Sequence, residues 1–88
     1  MTFEFDRAKS DSNKAKHGID FLEASALWES KVVLIPAKDA AEKRYMTVGK
    51  IGAVLWSAII TYRGPRIRII SVRRSTSREI AIYEKNTR

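Results

Sequence analysis

Alternating apolar and polar positions mark the second half of this chain as strand. Arg44 to Lys50 (RYMTVGK) sets Tyr45, Thr47 and Gly49 against Met46 and Val48. Ala53 to Tyr62 (AVLWSAIITY) is almost entirely apolar or β-forming and is the strongest strand in the sequence. Arg66 to Arg74 (RIRIISVRR) starts cleanly, with Arg66 and Arg68 on one face and Ile67 and Ile69 on the other. Ile70 and Val72 then fall on the arginine face, the pattern of a strand central in its sheet. Ile51-Gly52 predicts a turn, and Arg63-Gly64-Pro65 a tight connection that makes the last two strands a hairpin. Lys31 to Ile35 (KVVLI) predicts a shorter strand stopped by Pro36, followed by a polar, mobile loop over Ala37 to Lys43.

Helical spacing surrounds these strands. Phe3-Glu4-Phe5 reads as a short edge strand, and Asp6 as the N-cap of a helix running to His17 and stopped by Gly18. On that helix Ala8, Ser12 and Ala15 form a small-residue face suited to close packing. Asn13, Lys14 and His17 lie opposite, flanked by Lys9 and Lys16. Asp20 with Glu23 predicts a second helix to about Glu29, whose Phe21, Ala24 and Trp28 face the core. Thr76 with Glu79 has the spacing of a capping box and predicts a last helix from Ser77 to Asn86, with Ile80 and Tyr83 inward. The order β-α-α-β-β-β-β-α implies an α+β fold: an antiparallel sheet with two N-terminal helices and one C-terminal helix, in a single domain over residues 1–88. One sheet face is expected to pack on helices, leaving the other face or its rim to carry charge.

Charge sharpens the picture. The 17 Lys and Arg outweigh 10 Asp and Glu, for a net +7, and arginine is concentrated in the last third. That balance favours a polyanionic partner, nucleic acid first and an acidic protein second. There is no cysteine, which suits a reducing cytoplasm and excludes disulfides and thiolate metal sites. No apolar run reaches the roughly 20 residues of a membrane span, and MTFEFDRAK has no signal-peptide core.

The candidate chemistry is correspondingly sparse. One histidine and no close carboxylate pair make a poor metal shell, and no Gly-rich phosphate loop or Ser-His-Asp set is present, so no metal or cofactor is expected. RNA cleavage by its own 2′-hydroxyl needs only positive charge and one or two proton-transfer groups. Arg66, Arg68, Arg73 and Arg74 can bind phosphate and stabilise the phosphorane, the last two beside a helix N-terminus. Glu79 or His17 would handle protons; a cap alone accounts for Glu79, and a helix C-terminus alone accounts for a cationic His17. Lys14, Lys16 and Tyr83 are secondary candidates for the RNA contact. The competing readings are a non-catalytic nucleic-acid-binding module and a basic protein-interaction domain.

The blocks Phe3-Glu4-Phe5-Asp6, Asn13-Lys14-Ala15-Lys16-His17-Gly18, Phe21-Leu22-Glu23-Ala24 and Arg66-Ile67-Arg68-Ile69-Ile70-Ser71-Val72-Arg73-Arg74, followed by Glu79 and Tyr83-Glu84, resemble the BrnT family of bacterial toxins. The resemblance spans essentially the whole chain. It implies a RelE-like fold and an endoribonuclease that stops translation and growth. It also implies a cognate BrnA-like antitoxin with a ribbon-helix-helix DNA-binding part, the complex binding operator DNA. Phe5 and Arg7 depart from the Trp and Pro common there, and Ile80-Ala81-Ile82 stands where arginines are frequent.

Overall fold

Two tight turns organise the sheet. Strands β3 (Arg44–Ile51) and β4 (Val54–Arg63) are joined through Gly52-Ala53, and β4 and β5 (Arg66–Arg74) through Gly64-Pro65. Gly52 and Gly64 have φ of 62° and 57°, a region costly for any residue with a Cβ. With Pro65 fixing the second position at negative φ, the Gly64-Pro65 loop matches a type II′ hairpin. The computed structural model describes residues 2–37 and 43–88. The middle of the loop expected over 37–43 therefore lies outside the described residues.

Among the described residues five strands lie in the order β1-β5-β4-β3-β2, with β1 at Thr2–Glu4 and β2 at Val32–Ala37. Four of them form an antiparallel meander. β1 instead pairs parallel with β5, Thr2 opposite Arg66 and Glu4 opposite Arg68, so the sheet is mixed rather than wholly antiparallel. A triplet separated from its partner by residues 5–65 has no hairpin to fix its direction. β2 also runs through Pro36, which pairs with Tyr45. The strand has an open side where the missing N–H costs nothing, so proline does not end it.

A register shift in the β4–β5 ladder corrects the faces of β5. Ile59 opposes Ser71 while Ile60 opposes Ile69, so Ile70 is the extra residue of a bulge. The shift returns Val72 to the face of Ile67 and Ile69, and all three are buried. Period-two counting placed Val72 with the arginines because it could not see the inserted residue.

The core lies on the face shared by Ile67, Ile69 and Val72, with Ala58 and Ile60 of β4, beneath Phe21, Ala24 and Leu27. Phe21 and Leu27 are almost wholly buried, each worth about 2–3 kcal/mol of transfer free energy. They come from α2 (Phe21–Ala24), which tightens into a 3-10 turn over Ser25–Glu29 instead of continuing as one α-helix. Gly49 lets that turn approach the sheet: a Cβ there would lie 3.1 Å from Val32 and 3.2 Å from Leu27.

Helix α1 (Arg7–His17) is capped by Asp6 and ended by Gly18 at φ 79°. Its inward residues are Ser10 and Asn13, while Ala8, Ser12 and Ala15 are exposed, the reverse of the packing expected from the small-residue face. Hydrogen bonds rather than apolar burial hold this helix, so no hydrophobic stripe announced its inner side. Helix α3 (Ser77–Asn86) packs on β2 and β3. It binds Ser57, whose neighbours in β4, Trp56 and Ala58, face the core, so α3 covers the opposite face of the sheet. That second face is not left to charge alone.

Candidate functional site

Where β5 gives way to α3, side chains from three elements converge on one carboxylate. Thr76 caps α3 and accepts from the Glu79 N–H at 3.2 Å, while the Thr76 N–H donates to Glu79 Oε1 at 2.9 Å. Both arms of the capping box are therefore formed. Arg73 adds a bidentate pair, its two terminal nitrogens each 2.8 Å from a different Glu79 oxygen. Ser57 of β4, opposite Arg73 in register, donates to Glu79 Oε1 at 2.8 Å and lies 2.7 Å from the Ser75 hydroxyl.

This arrangement fixes the electrostatics. The Arg73 guanidinium holds the Glu79 carboxyl down at about 2, helped by the Thr76 N–H and the Ser57 hydroxyl and opposed by partial burial. Arg73 is raised in turn by Glu79. A carboxylate with both oxygens occupied and so low a pKa is a weak proton acceptor near neutrality. Its geometry is that of an anchor, tying α3 to the sheet and setting the plane of the Arg73 fork. A base role for Glu79 requires it first to release Arg73.

The four arginines do not share one end of the sheet. Arg66 and Arg73 are seven residues apart on β5, about 20 Å at the usual strand rise. At the near end Arg68 pairs with Glu4 at 2.9 Å, and Arg66 reaches the same carboxylate at 3.9 Å. At the far end Arg74 lies over the Trp56 ring, 5.7 Å from its centre, and stays exposed. Arg73 is orientated by Glu79, with 39% of its side chain still exposed.

Asn13 fixes α1 to this far end. Its side-chain Oδ1 accepts from the Val72 N–H at 3.1 Å, and its Nδ2 donates to the Val72 carbonyl at 2.9 Å. The amide thus pairs with β5 as a strand would, and Nδ2 also donates to the Ile19 carbonyl. Ser10 supports the same joint by accepting from the Phe21 N–H. His17 lies one turn beyond Asn13 on the same face of α1. Lys16 and His17 are exposed in the basic last turn of α1.

Two candidates are placed elsewhere. Lys14 points to Glu23 of α2 at 2.8 Å, an exposed pair that raises the lysine and lowers the glutamate. Tyr83 is buried, its hydroxyl 3.5 Å from the Lys31 carbonyl at the start of β2. The structure brings Arg73 and Glu79 together, lays Arg74 over Trp56 on the opposite face of the same strand end, ties α1 to that strand through Asn13, and puts Arg66 and Arg68 in a separate group.

Ser57 and Asn13 are the residues that sequence reasoning passed over as partners in the site. Ser57 had no visible signal inside an apolar strand. Asn13 had one: an amide on the face of a helix with no apolar alternative. Among the described residues no three His, Cys, Asp or Glu side chains cluster closely enough to hold a metal ion. No helix among them is long and apolar enough to cross a membrane.

Residues 5–79 match the sequence model of a family described as "Ribonuclease toxin, BrnT, of type II toxin-antitoxin system". Comparison with curated proteins gives no match.

Proposed function

The chain belongs to the BrnT family of ribonuclease toxins of type II toxin–antitoxin systems, and on that premise we propose that it is a metal-independent endoribonuclease working at the far end of β5. The observation that carries this reading is the Arg73–Arg74 pair, one guanidinium aimed by Glu79 and the other laid over Trp56, at the strand end to which Asn13 ties α1. The Arg73 and Arg74 forks, on opposite faces of this strand end, bind RNA phosphates and take up the charge that grows on the scissile group in the transition state. The 2′-oxygen attacks phosphorus as its proton passes to a base, and the P–O5′ bond breaks as O5′ takes a proton from an acid or water, leaving a 2′,3′-cyclic phosphate and a 5′-hydroxyl.

His17 is the better base of the two candidates. Its imidazole is exposed and bonded to no other side chain among the described residues, whereas the Glu79 oxygens are held by donors. Lys16, Arg66 and Arg68 extend the phosphate-binding surface along the RNA, with Lys14 and Tyr83 contributing less. In the cell the reading implies a cytoplasmic protein of RelE-like architecture that inhibits translation. It would be neutralised by a BrnA-like ribbon-helix-helix antitoxin, whose complex binds operator DNA.

The test is incubation of a long RNA with the isolated protein in excess EDTA, with end analysis of the products. Cleavage to cyclic-phosphate ends, reduced about 10²-fold or more in His17→Gln, supports the reading. RNA retained without new ends means a non-catalytic binding module, and cleavage that EDTA abolishes defeats metal independence.

A further inference from the structure

The two edges of the sheet are finished differently. On the β5 side, β1 is only Thr2–Glu4, ends in a charge, and leaves Val72 to be satisfied by Asn13. Short strands and edge charges are standard guards against further pairing. On the other side, among the described residues, β2 pairs only with β3. Its stretch Val32–Ile35 (VVLI) carries no charge, and Leu34 is 43% exposed. Pro36 offers no N–H, so the stretch open to pairing ends at Ile35. A run of unpaired backbone groups in an apolar, β-branched strand is a template for an added strand.

The adjoining surface gives the template a preference. On the α3 side, Ile35, Met46 and Ile82 line an open depression of about 230 Å³, with Arg78 and Glu79 at its rim. Glu79 is occupied by Arg73 and Ser57, whereas Arg78 makes no ion pair among the described residues. Alternate residues of an added strand point to one face. A segment seated on β2 would therefore turn two side chains, at positions i and i+2, towards the depression and its rim. Apolar lining and an unpaired guanidinium on a chain of net charge +7 call for an apolar side chain and a carboxylate at those positions.

We propose that the open edge of β2 at Val32–Ile35, with the depression beside Arg78, receives an extended segment of the cognate antitoxin that carries an apolar and an acidic side chain two residues apart. The proposal rests on the family reading only for the existence of an antitoxin. The open edge lies on a different strand from the proposed RNA surface, and the depression meets that surface at Glu79, which holds Arg73.

Hydrogen exchange on the toxin alone and in complex with its cognate antitoxin tests the site directly. Amide protection gained at 32–35 is expected. Calorimetric titration of the antitoxin should show at least a ten-fold loss of affinity in Leu34→Lys, which places a charge on the edge, and in Arg78→Glu. Arg63→Glu, an exposed cation at the β4–β5 turn, should leave affinity within about two-fold and so separates docking from general charge attraction. All three variants should keep the wild-type circular dichroism, since each side chain is exposed. Exchange unchanged at 32–35 in the complex overturns the proposal. So does protection there that appears in the toxin alone as its concentration rises, because the occupant is then a second copy of this chain. A protein that cleaves no RNA but gains protection at 32–35 defeats the ribonuclease reading and leaves the docking site standing; cleavage with β2 unprotected does the reverse.

Discussion

The two ends of β5 carry the same side chains and hold them by different means. At the near end Arg66 and Arg68 share Glu4 across a parallel, three-residue ladder. At the far end Arg73 is clamped by a capped, partly buried carboxylate, and the backbone is satisfied by a side-chain amide from α1. One pair is an ionic contact at a three-residue edge strand, with Arg66 exposed and Arg68 half-buried. The other is part of the joints that fasten two helices to the sheet. Arginines of equal charge therefore differ in what their loss does to the protein.

The largest expected effect is at Asn13. Asn13→Ala removes the partners of the Val72 N–H and carbonyl and of the Ile19 carbonyl. Buried groups left unpaired cost about 1–3 kcal/mol each before local relaxation, so the variant should lose about 2–4 kcal/mol. Calorimetry should show melting lowered by roughly 10–20 °C. A shift of only a degree or two would mean that water replaces the amide.

Next comes the contrast within the arginines. Arg73→Ala leaves the Glu79 carboxylate without its main partner and should cost about 2 kcal/mol. Arg66→Ala, exposed and 3.9 Å from Glu4, should stay within about 0.5 kcal/mol of wild type. Urea denaturation of both variants measures the difference, and equal costs would erase the distinction between the two ends.

Acid should act at the far end by a smaller amount. The folded carboxyl of Glu79 lies near 2, below its ordinary value of 4.5. Its contribution is therefore complete above about pH 5 and is lost as pH falls towards 2. With Arg73 partly in water, about 1–2 kcal/mol should disappear across that window. Glu79→Gln should show a correspondingly flatter stability profile between pH 5 and pH 2. A wild-type slope that the variant reproduces would place the acid sensitivity elsewhere.

The smallest effect concerns RNA at the near end. Each phosphate contact to a single strand contributes roughly −0.7 to the slope of log affinity against log salt, and three or four engaged arginines give about −2 to −3. Arg66→Ala with Arg68→Ala should flatten that slope by about 1.4 in filter binding. Glu4→Gln, which frees both guanidinia, should tighten binding a few-fold at low salt. No change in either would confine RNA to the far end.

Much of this molecule was legible because its signals are local. Asp6, Asp20 and Thr76 start helices through hydrogen bonds to residues three positions on, and Gly18, Gly52 and Gly64 hold positive φ at a helix end or a turn. A capping box or a glycine turn is decided within a few residues, so the sequence alone determines it. Tertiary structure decided everything that pairs distant residues. The parallel direction of β1 depends on a contact across more than sixty positions. The bulge at Ile70 exists only in the register with β4, and it alone puts Val72 in the core. The inward face of α1 is set by Asn13 finding Val72 and Ser10 finding Phe21, bonds that leave no hydrophobic period to read. Glu79 carries both kinds of information. Its spacing from Thr76 wrote the cap into the chain, while its grip on Arg73 and Ser57 arose only when the fold brought β4, β5 and α3 to one point, because hydrogen-bond partners are chosen by position in space.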